Sequence, residues 1–157
     1  MSLSKTQIRL DGLLSDALVW DNHSCMPLRA DDEFLPQLER CRQAGLTVVT
    51  LNVGFDATTI EQDVRVLAHF RHWLRRHGDR YLLVEKAADV HEAKRTGRLG
   101  VLFDIEGTVA LGDQLSMIEL YYDLGVRWML MAYNRNNSVA GGCLDQDQGL
   151  TPFGRAA

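Results

Sequence analysis

Two acidic residues follow an apolar run near the middle of the chain and are the first candidates for chemistry. Asp104 and Glu106 come directly after the apolar residues 101–103, and Gly107 closes the segment. Strand side chains repeat every two residues, so Asp104 and Glu106 share one face of the predicted strand. In parallel α/β folds, ligands bind beyond the carboxyl ends of the strands, where Glu106 would be a catalytic or metal-binding group. The structural alternative is a strand-end Glu106 that pairs with an arginine.

A histidine and a cysteine follow the first predicted strand. His23 and Cys25 are two residues apart, so both side chains point to the same side of an extended chain. Imidazole and thiolate are both zinc ligands, which makes a metal site one interpretation. The other interpretation is a buried histidine bonded to a backbone carbonyl, beside an inert buried thiol.

Convergence of the two strand ends would give these residues a function. In a barrel, the ends of the first and fourth strands open onto the same face, so His23 and Glu106 could hold metal together. Glu106 could bridge two ions, and two ions about 3.5–4 Å apart can hold and acidify a water for attack on a carbonyl. The other histidines are predicted on helices or their ends, at the surface and not as ligands: His69, His72, His77 and His91.

A polar loop after the fifth predicted strand lies on the same face. Its residues 133–137 could bind the carboxylate of a substrate, and Arg135 is the best donor among them. The alternative is a loop whose polar side chains bond to its own turns.

Alternating strands and helices must position these residues. Strands are predicted at residues 17–21, 46–53, 81–85, 100–106 and 126–132, with helices between them at about 30–45, 58–77, 88–95 and 113–124. This order predicts an α/β fold with a parallel sheet and helices outside. Five strands allow an open doubly wound sheet or the first part of a barrel, and no glycine-rich phosphate loop favours the nucleotide-binding version. In the last helix, the residues predicted to face the core are Leu115, Ile118, Tyr122 and Leu124.

Composition limits the class of protein. The chain has 157 residues, of which 46% are hydrophobic and 24% charged, as expected for one soluble globular domain. Its net charge of −4 gives no reason to expect nucleic acid or an anionic membrane surface as partner. No segment approaches the roughly 20 apolar residues that span a bilayer, and three widely spaced cysteines suit a reducing cytoplasm. We expect one partial domain over residues 1–157, with an irregular lead-in at 1–16 and, at 133–157, a long loop and the start of a truncated helix.

Five short motifs run along the chain: WDNHSC at 20–25, DIEG at 104–107, LGVRW at 124–128, NN at 136–137 and GLTPFG at 149–154. In this order and spacing, they resemble the membrane (renal) dipeptidase family of zinc peptidases, including its bacterial members. The resemblance covers nearly the whole chain. It implies a (β/α)8 TIM-barrel fold, a binuclear zinc site and cleavage of dipeptides that have a free C-terminal carboxylate.

The resemblance also implies a role for each candidate residue. His23 corresponds to the first-strand zinc ligand, and Glu106 to the catalytic carboxylate that bridges both ions. Cys25 stands where the family has an aspartate that also binds zinc, and a thiolate there would make the site softer. Tyr133 replaces a histidine that contacts substrate in the family. The predicted substrate-binding residues are Tyr133, Arg135 and Asn137.

Length is the largest departure from the family. The family takes two further zinc-binding histidines from later strands, so this chain resembles an N-terminal half with an incomplete second zinc site. We expect a zinc-dependent dipeptidase that hydrolyses dipeptides by attack of a metal-activated hydroxide, with the activity of the isolated chain left open. The alternative is a non-catalytic barrel fragment or binding module that self-associates or needs a partner. That partner would be a second copy or the missing C-terminal half.

Overall fold

Strands alternate with helices in the computed structural model, which describes residues 12–13 and 16–157. The strands are β1 (Trp20–Ser24), β2 (Val48–Phe55), β3 (Tyr81–Leu83), β4 (Leu99–Glu106) and β5 (Val126–Met129). The α-helices after β1 are α1 (Leu38–Gln43), α2 (Ile60–Arg76), α3 (Ala87–Thr96), α4 (Ser116–Asp123) and α5 (Pro152–Ala156), and single 3₁₀ turns lie at Leu35–Gln37 and Val109–Leu111. No helix within the described ranges combines the length and apolar content needed to cross a membrane. The predicted lead-in at 1–16 falls largely outside the described residues.

One parallel sheet contains all five strands, with β4 at its centre. β2 pairs with one edge of β4, and β1 pairs with the far edge of β2. The other edge of β4 is shared, because β3 pairs with residues 99–101 and β5 with residues 103–105. The sheet therefore agrees with the predicted parallel α/β architecture, but β2 and β4 pair directly. Because β3 stops beside the first half of β4, the C-terminal edge of the sheet is formed by β1, β2, β4 and β5.

The first strand begins three residues later than predicted. Trp20 opens the ladder with β2 by pairing with Val48, while Leu18 is exposed and precedes the strand. The apolar residues 17–20 suggested an earlier strand, but hydrogen bonding to β2 sets its bounds. As a result, His23 lies within the strand and not in the loop after it.

The two central strands are buried on both faces. Every residue of β2 and β4 is buried except the last of each, Phe55 and Glu106. This double burial fits strands that are largely apolar, whose polar residues Thr50, Asn52 and Asp104 are themselves buried. One face is covered by the apolar side of α2, which is capped by Thr59 and buries Val66, Leu67, Phe70, Trp73 and Leu74. The sheet therefore exposes its side chains mainly where its strands end.

Helix α4 packs by a different face from the one predicted. Tyr121 is fully buried, and Met117 and Leu124 pack against the core one turn away on either side. Leu115, Ile118 and Tyr122 are 40%, 37% and 56% exposed, so the prediction is wrong for these three residues. Helix α4 has apolar residues on two faces, so its sequence does not indicate which face packs against the sheet.

Candidate metal centre

Three predicted ligands meet at the C-terminal edge of the sheet. Nε2 of His23 lies 3.3 Å from Oε1 of Glu106 and 3.4 Å from Sγ of Cys25. One ligand atom from each residue lies within 4.8 Å of the other two. The structure thus brings together an imidazole, a thiol and a carboxylate from β1, the residue after it and the end of β4.

An irregularity in β1 turns the histidine toward β4. Asp21 pairs with Val49, but Ser24 pairs with Leu51, so β1 has one residue more than β2 over this stretch. Such a bulge re-aims side chains in a strand. The carboxylate of Asp21 stabilises this bulge, because it accepts from the hydroxyl of Ser24 at 2.5 Å and from the backbone N–H of His23 at 3.3 Å.

A buried aspartate holds the other nitrogen of the histidine. Nδ1 of His23 lies 3.0 Å from Oδ2 of Asp104, a residue with no exposed surface. The amide of Asn52 donates to the same oxygen at 3.3 Å and to the carbonyl of Gly54 at 3.0 Å. Burial raises the pKa of Asp104 to about 6, and the neighbouring His23 and Asn52 act in the opposite direction. Sequence reasoning placed Asp104 on the face of Glu106 but gave it no role.

The local electrostatics favour a cation among these groups. Burial raises the pKa of the Cys25 thiol, and the carboxylates of Glu106 and Asp104 raise it further. A divalent cation would reverse this effect, because metal ligands bind in their deprotonated form. Nitrogen, sulfur and oxygen donors at this spacing suit zinc, whose bonds to them are about 2.0–2.3 Å long. The donor set therefore fits the metal that the sequence predicts.

The arrangement departs from both structural alternatives. Oε1 of Glu106 lies 3.3 Å from Nε2 of His23, and no arginine pairs with Glu106 among the described residues. The imidazole contacts a carboxylate instead of a backbone carbonyl, and Cys25 is exposed. The side chains of His23 and Glu106 are 34% and 22% exposed, so solvent and a small ligand can reach them. The ring of Trp128 lies beside the imidazole ring, 5.7 Å away from centroid to centroid.

The predicted substrate-binding residues line a separate cleft of about 340 Å³. Tyr133, Arg135 and Asn137 share this cleft with Phe55 and Asp56. A guanidinium nitrogen of Arg135 donates to Asp145 at 2.8 Å. Asn137 accepts from two backbone N–H groups of its own loop, at 2.8 and 3.0 Å, and donates to the carbonyl of Met131. Asn137 thus behaves as the loop-supporting alternative describes.

A short hydrogen-bonded path connects this cleft to Glu106 of the candidate metal centre. The backbone N–H of Tyr133 donates to Oδ2 of Asp56 at 3.2 Å, and the backbone N–H of Asp56 donates to the carbonyl of Glu106 at 3.1 Å. Gly107 has a φ of +119°, and a Cβ there would collide with the Asp56 carboxylate. The glycine after Glu106 therefore lets the β2–α2 loop pack against the end of β4.

Comparison with known proteins gives one consistent family. The family model described as membrane dipeptidase (peptidase family M19) matches residues 13–157. The dipeptidase tcpJ of Claviceps purpurea (strain 20.1) is 32% identical over 82 residues, which are 50% of this chain and 19% of that protein.

Solved structures extend the similarity to the fold. An amidohydrolase from Pseudomonas aeruginosa superimposes with a TM-score of 0.82 at 28% identity, over 92% of this chain and 43% of its own. A metallopeptidase from Rhodobacter sphaeroides, solved with a phosphinate mimic of the dipeptide L-Ala-D-Ala, superimposes with a TM-score of 0.65 at 19% identity, over 88% and 54%. This chain thus spans about half the length of those two chains.

Proposed function

The chain belongs to the membrane dipeptidase family, peptidase family M19, and from this premise we propose that it is the metal-binding portion of a zinc-dependent dipeptidase. The observation that carries the proposal is the convergence of His23, Cys25 and Glu106 within 4.8 Å. A cluster of nitrogen, sulfur and oxygen donors at the C-terminal edge of a parallel sheet lies where α/β enzymes bind their ligands.

His23, Cys25 and Glu106 would hold the ion. A bound divalent cation supplies an acidified water and polarises the carbonyl that is attacked. Glu106 is the catalytic residue in this proposal. Its carboxylate lies at the solvent-accessible end of β4, where it would balance part of the charge of the cation. A second ion would need ligands beyond this set, since the three residues offer one imidazole, one thiol and one carboxylate.

The cleft beside the ligands would hold the dipeptide. Its volume of about 340 Å³ lies within the range of small-molecule sites. The Arg135 side chain is 72% exposed and could exchange Asp145 for the C-terminal carboxylate of a substrate. Dipeptides are proposed because the relatives are named dipeptidases and one structural neighbour holds a dipeptide mimic. A cytoplasmic location stays a prediction.

A test combines metal content with hydrolysis. Purified protein should bind Zn²⁺, measured by calorimetry and elemental analysis, and should cleave small dipeptides such as L-Ala-D-Ala, measured by chromatography. Both properties should be lost in Glu106→Gln, while Glu119→Gln on exposed α4 serves as the matched control. Hydrolysis that survives Glu106→Gln and chelation would reject the proposal.

A second candidate function is a barrel fragment that needs a partner. The exposed apolar residues of α4 favour it, because Leu115, Ile118 and Tyr122 are each more than a third exposed. Zn²⁺ binding without dipeptide hydrolysis, together with association in sedimentation experiments, would support this second candidate over the first.

A further inference from the structure

The histidine of the metal centre has two nitrogens, and only one can face the cation. Nε2 points toward Glu106 and Cys25, at 3.3 and 3.4 Å. A neutral imidazole carries its proton on one nitrogen and a lone pair on the other. His23 can therefore bind a cation through Nε2 only if its proton is on Nδ1.

A chain of hydrogen bonds across three strands fixes that proton. Oδ2 of Asp104 on β4 lies 3.0 Å from Nδ1 of His23 on β1. Asn52 on β2 pairs with Asp104 in the ladder and donates to the same oxygen at 3.3 Å. An ionised carboxylate can only accept, so Asp104 holds a proton on Nδ1. Glu106 faces Nε2 in the same way at 3.3 Å, and a cation bound between them would take the place of a proton there.

We infer that Asp104 is a positioning residue that keeps the proton of His23 on Nδ1 and so presents Nε2 to the metal. This inference rests on the metal site of the proposed function. Carboxylates behind metal-binding histidines fix the tautomer and raise the basicity of the ring, and their loss lowers metal affinity about 10–100-fold. Asp104 touches neither substrate nor cation and acts only through His23.

The surroundings of Asp104 argue against a purely structural role. Its second oxygen, Oδ1, is buried and has no hydrogen-bond partner among the described residues. A buried carboxylate with a free oxygen does not strengthen a fold. If Asp104 only supported packing, the isosteric change Asp104→Asn would alter stability or nothing, and it would leave the histidine tautomer unchanged.

The experiment compares Asp104→Asn with Asp63→Asn. Asp63 is a second fully buried aspartate, and it lies outside the ligand set. Imidazole ¹⁵N spectra are recorded on metal-free protein that carries Glu106→Gln, so that Asp104 is the one carboxylate facing the ring in the part of the chain that the structure describes. At about pH 8 these spectra report which nitrogen carries the proton. His23→Gln assigns the His23 signals. Zn²⁺ affinity is measured by competition with a chromogenic chelator.

Glu106→Gln protein should show His23 with its proton on Nδ1, and adding Asp104→Asn should give a mixture of the two tautomers. Asp104→Asn alone should bind Zn²⁺ about 10–100-fold more weakly than wild type, whereas Asp63→Asn should change neither property. An Nε2-protonated His23 in Glu106→Gln protein would overturn the inference, and this substitution is isosteric at a partly exposed residue. Equal tautomer populations with and without Asp104→Asn, together with equal Zn²⁺ affinities in wild-type and Asp104→Asn protein, would also overturn it.

The two proposals fail in different ways. If wild-type protein binds no Zn²⁺, the proposed function fails, while the tautomer in metal-free protein still decides whether Asp104 orients His23. If Zn²⁺ binds and dipeptides are cleaved but Asp104→Asn does not change the tautomer of His23, the dipeptidase proposal stands and the positioning role is rejected.

Discussion

Two buried aspartates lie near the end of β2, and only one of them contacts the candidate metal centre. Asp104 and Asp63 are 0% and 1% exposed, and burial raises the pKa of each to about 6. Asp104 contacts His23 and Asn52, whereas neither oxygen of Asp63 has a partner in good hydrogen-bond geometry in the part of the chain that the structure describes, and the Thr58 hydroxyl is the group that lowers its pKa. A perturbed pKa alone therefore does not identify a functional acid, and converging partners do.

The C-terminal end of β2 separates the two aspartates. The carbonyl of Gly54 accepts from Asn52, which also donates to Asp104. A Cβ at Gly54 would collide with the carboxylate of Asp63, which lies in the first turn of α2. The end of β2 thus has a ligand side toward β1 and β4 and a packing side toward α2. Variants on the two sides test this contrast.

Removal of the histidine should have the largest effect. His23→Ala leaves Asp104 without its imidazole partner, so that Asp104 comes to resemble Asp63. Zn²⁺ affinity should fall at least about 100-fold, because loss of a direct ligand exceeds the cost of losing an outer partner. Calorimetric titration measures this, and His91→Ala on exposed α3 is the control. Unchanged Zn²⁺ binding in His23→Ala would place the metal elsewhere.

Replacement of the packing-side aspartate should change stability with a defined pH dependence. The pKa of Asp63 rises from 3.8 to about 6 on folding, so between these values the folded protein binds more protons than the unfolded chain. Stability then falls as pH rises through this window, by up to about 3 kcal/mol, and stays low above it. Asp63→Asn should therefore stabilise the protein at about pH 7.5 and lose this advantage near pH 4.

Denaturant unfolding at several pH values measures the difference. Asp104 titrates in both proteins, so the comparison of wild type with Asp63→Asn isolates Asp63. An advantage for Asp63→Asn that is the same at both pH values would mean that the pKa of Asp63 is the same in the folded and the unfolded protein, so that burial does not raise it.

Replacement of the thiol should have a smaller effect confined to the ligand side. Cys25→Ser removes the soft donor but leaves a hydroxyl oxygen that can still contact the cation, so Zn²⁺ affinity should fall less than in His23→Ala, by roughly tenfold. With Co²⁺ as a probe, the near-ultraviolet band of a cobalt–thiolate bond should disappear. Cys143→Ser is matched, because Cys143 is also exposed but bonds to Asn134. Persistence of the cobalt band in Cys25→Ser would exclude Cys25 as a ligand.

The sequence predicted the ligand side better than the packing side. Period-two spacing placed Asp104 beside Glu106 and His23 beside Cys25, and parallel topology predicted that strand ends would converge. The hydrogen bond between Asp104 and His23 was missed, because it depends on a bulge in β1 that no local pattern encodes. Secondary-structure propensity therefore located the residues but not their partners.

Asp63 shows more clearly which features the sequence does not predict. An acidic residue in the first turn of a helix is favourable by itself and is usually exposed. Its burial arises from packing against Gly54, a contact between elements that only the folded chain creates. The apolar stripe of α4 was misplaced for the same reason, since Tyr121 and its neighbours compete with Leu115 and Ile118 for the core.

The smallest effect is expected at Tyr121, which shares the packing side with Asp63. Its hydroxyl is buried without a hydrogen-bond partner among the described residues, and burial, reinforced by the charge of Asp63, raises its pKa to about 12. Tyr121→Phe removes this unpaired group, so we expect stability at neutral pH to rise by about 1 kcal/mol or less. The double variant Asp63→Asn/Tyr121→Phe should be additive within about 0.5 kcal/mol if the two groups share no bond. A larger coupling would mean that the hydroxyl does bind Asp63, and the contrast with Asp104 would then rest on the kind of partner instead of its absence.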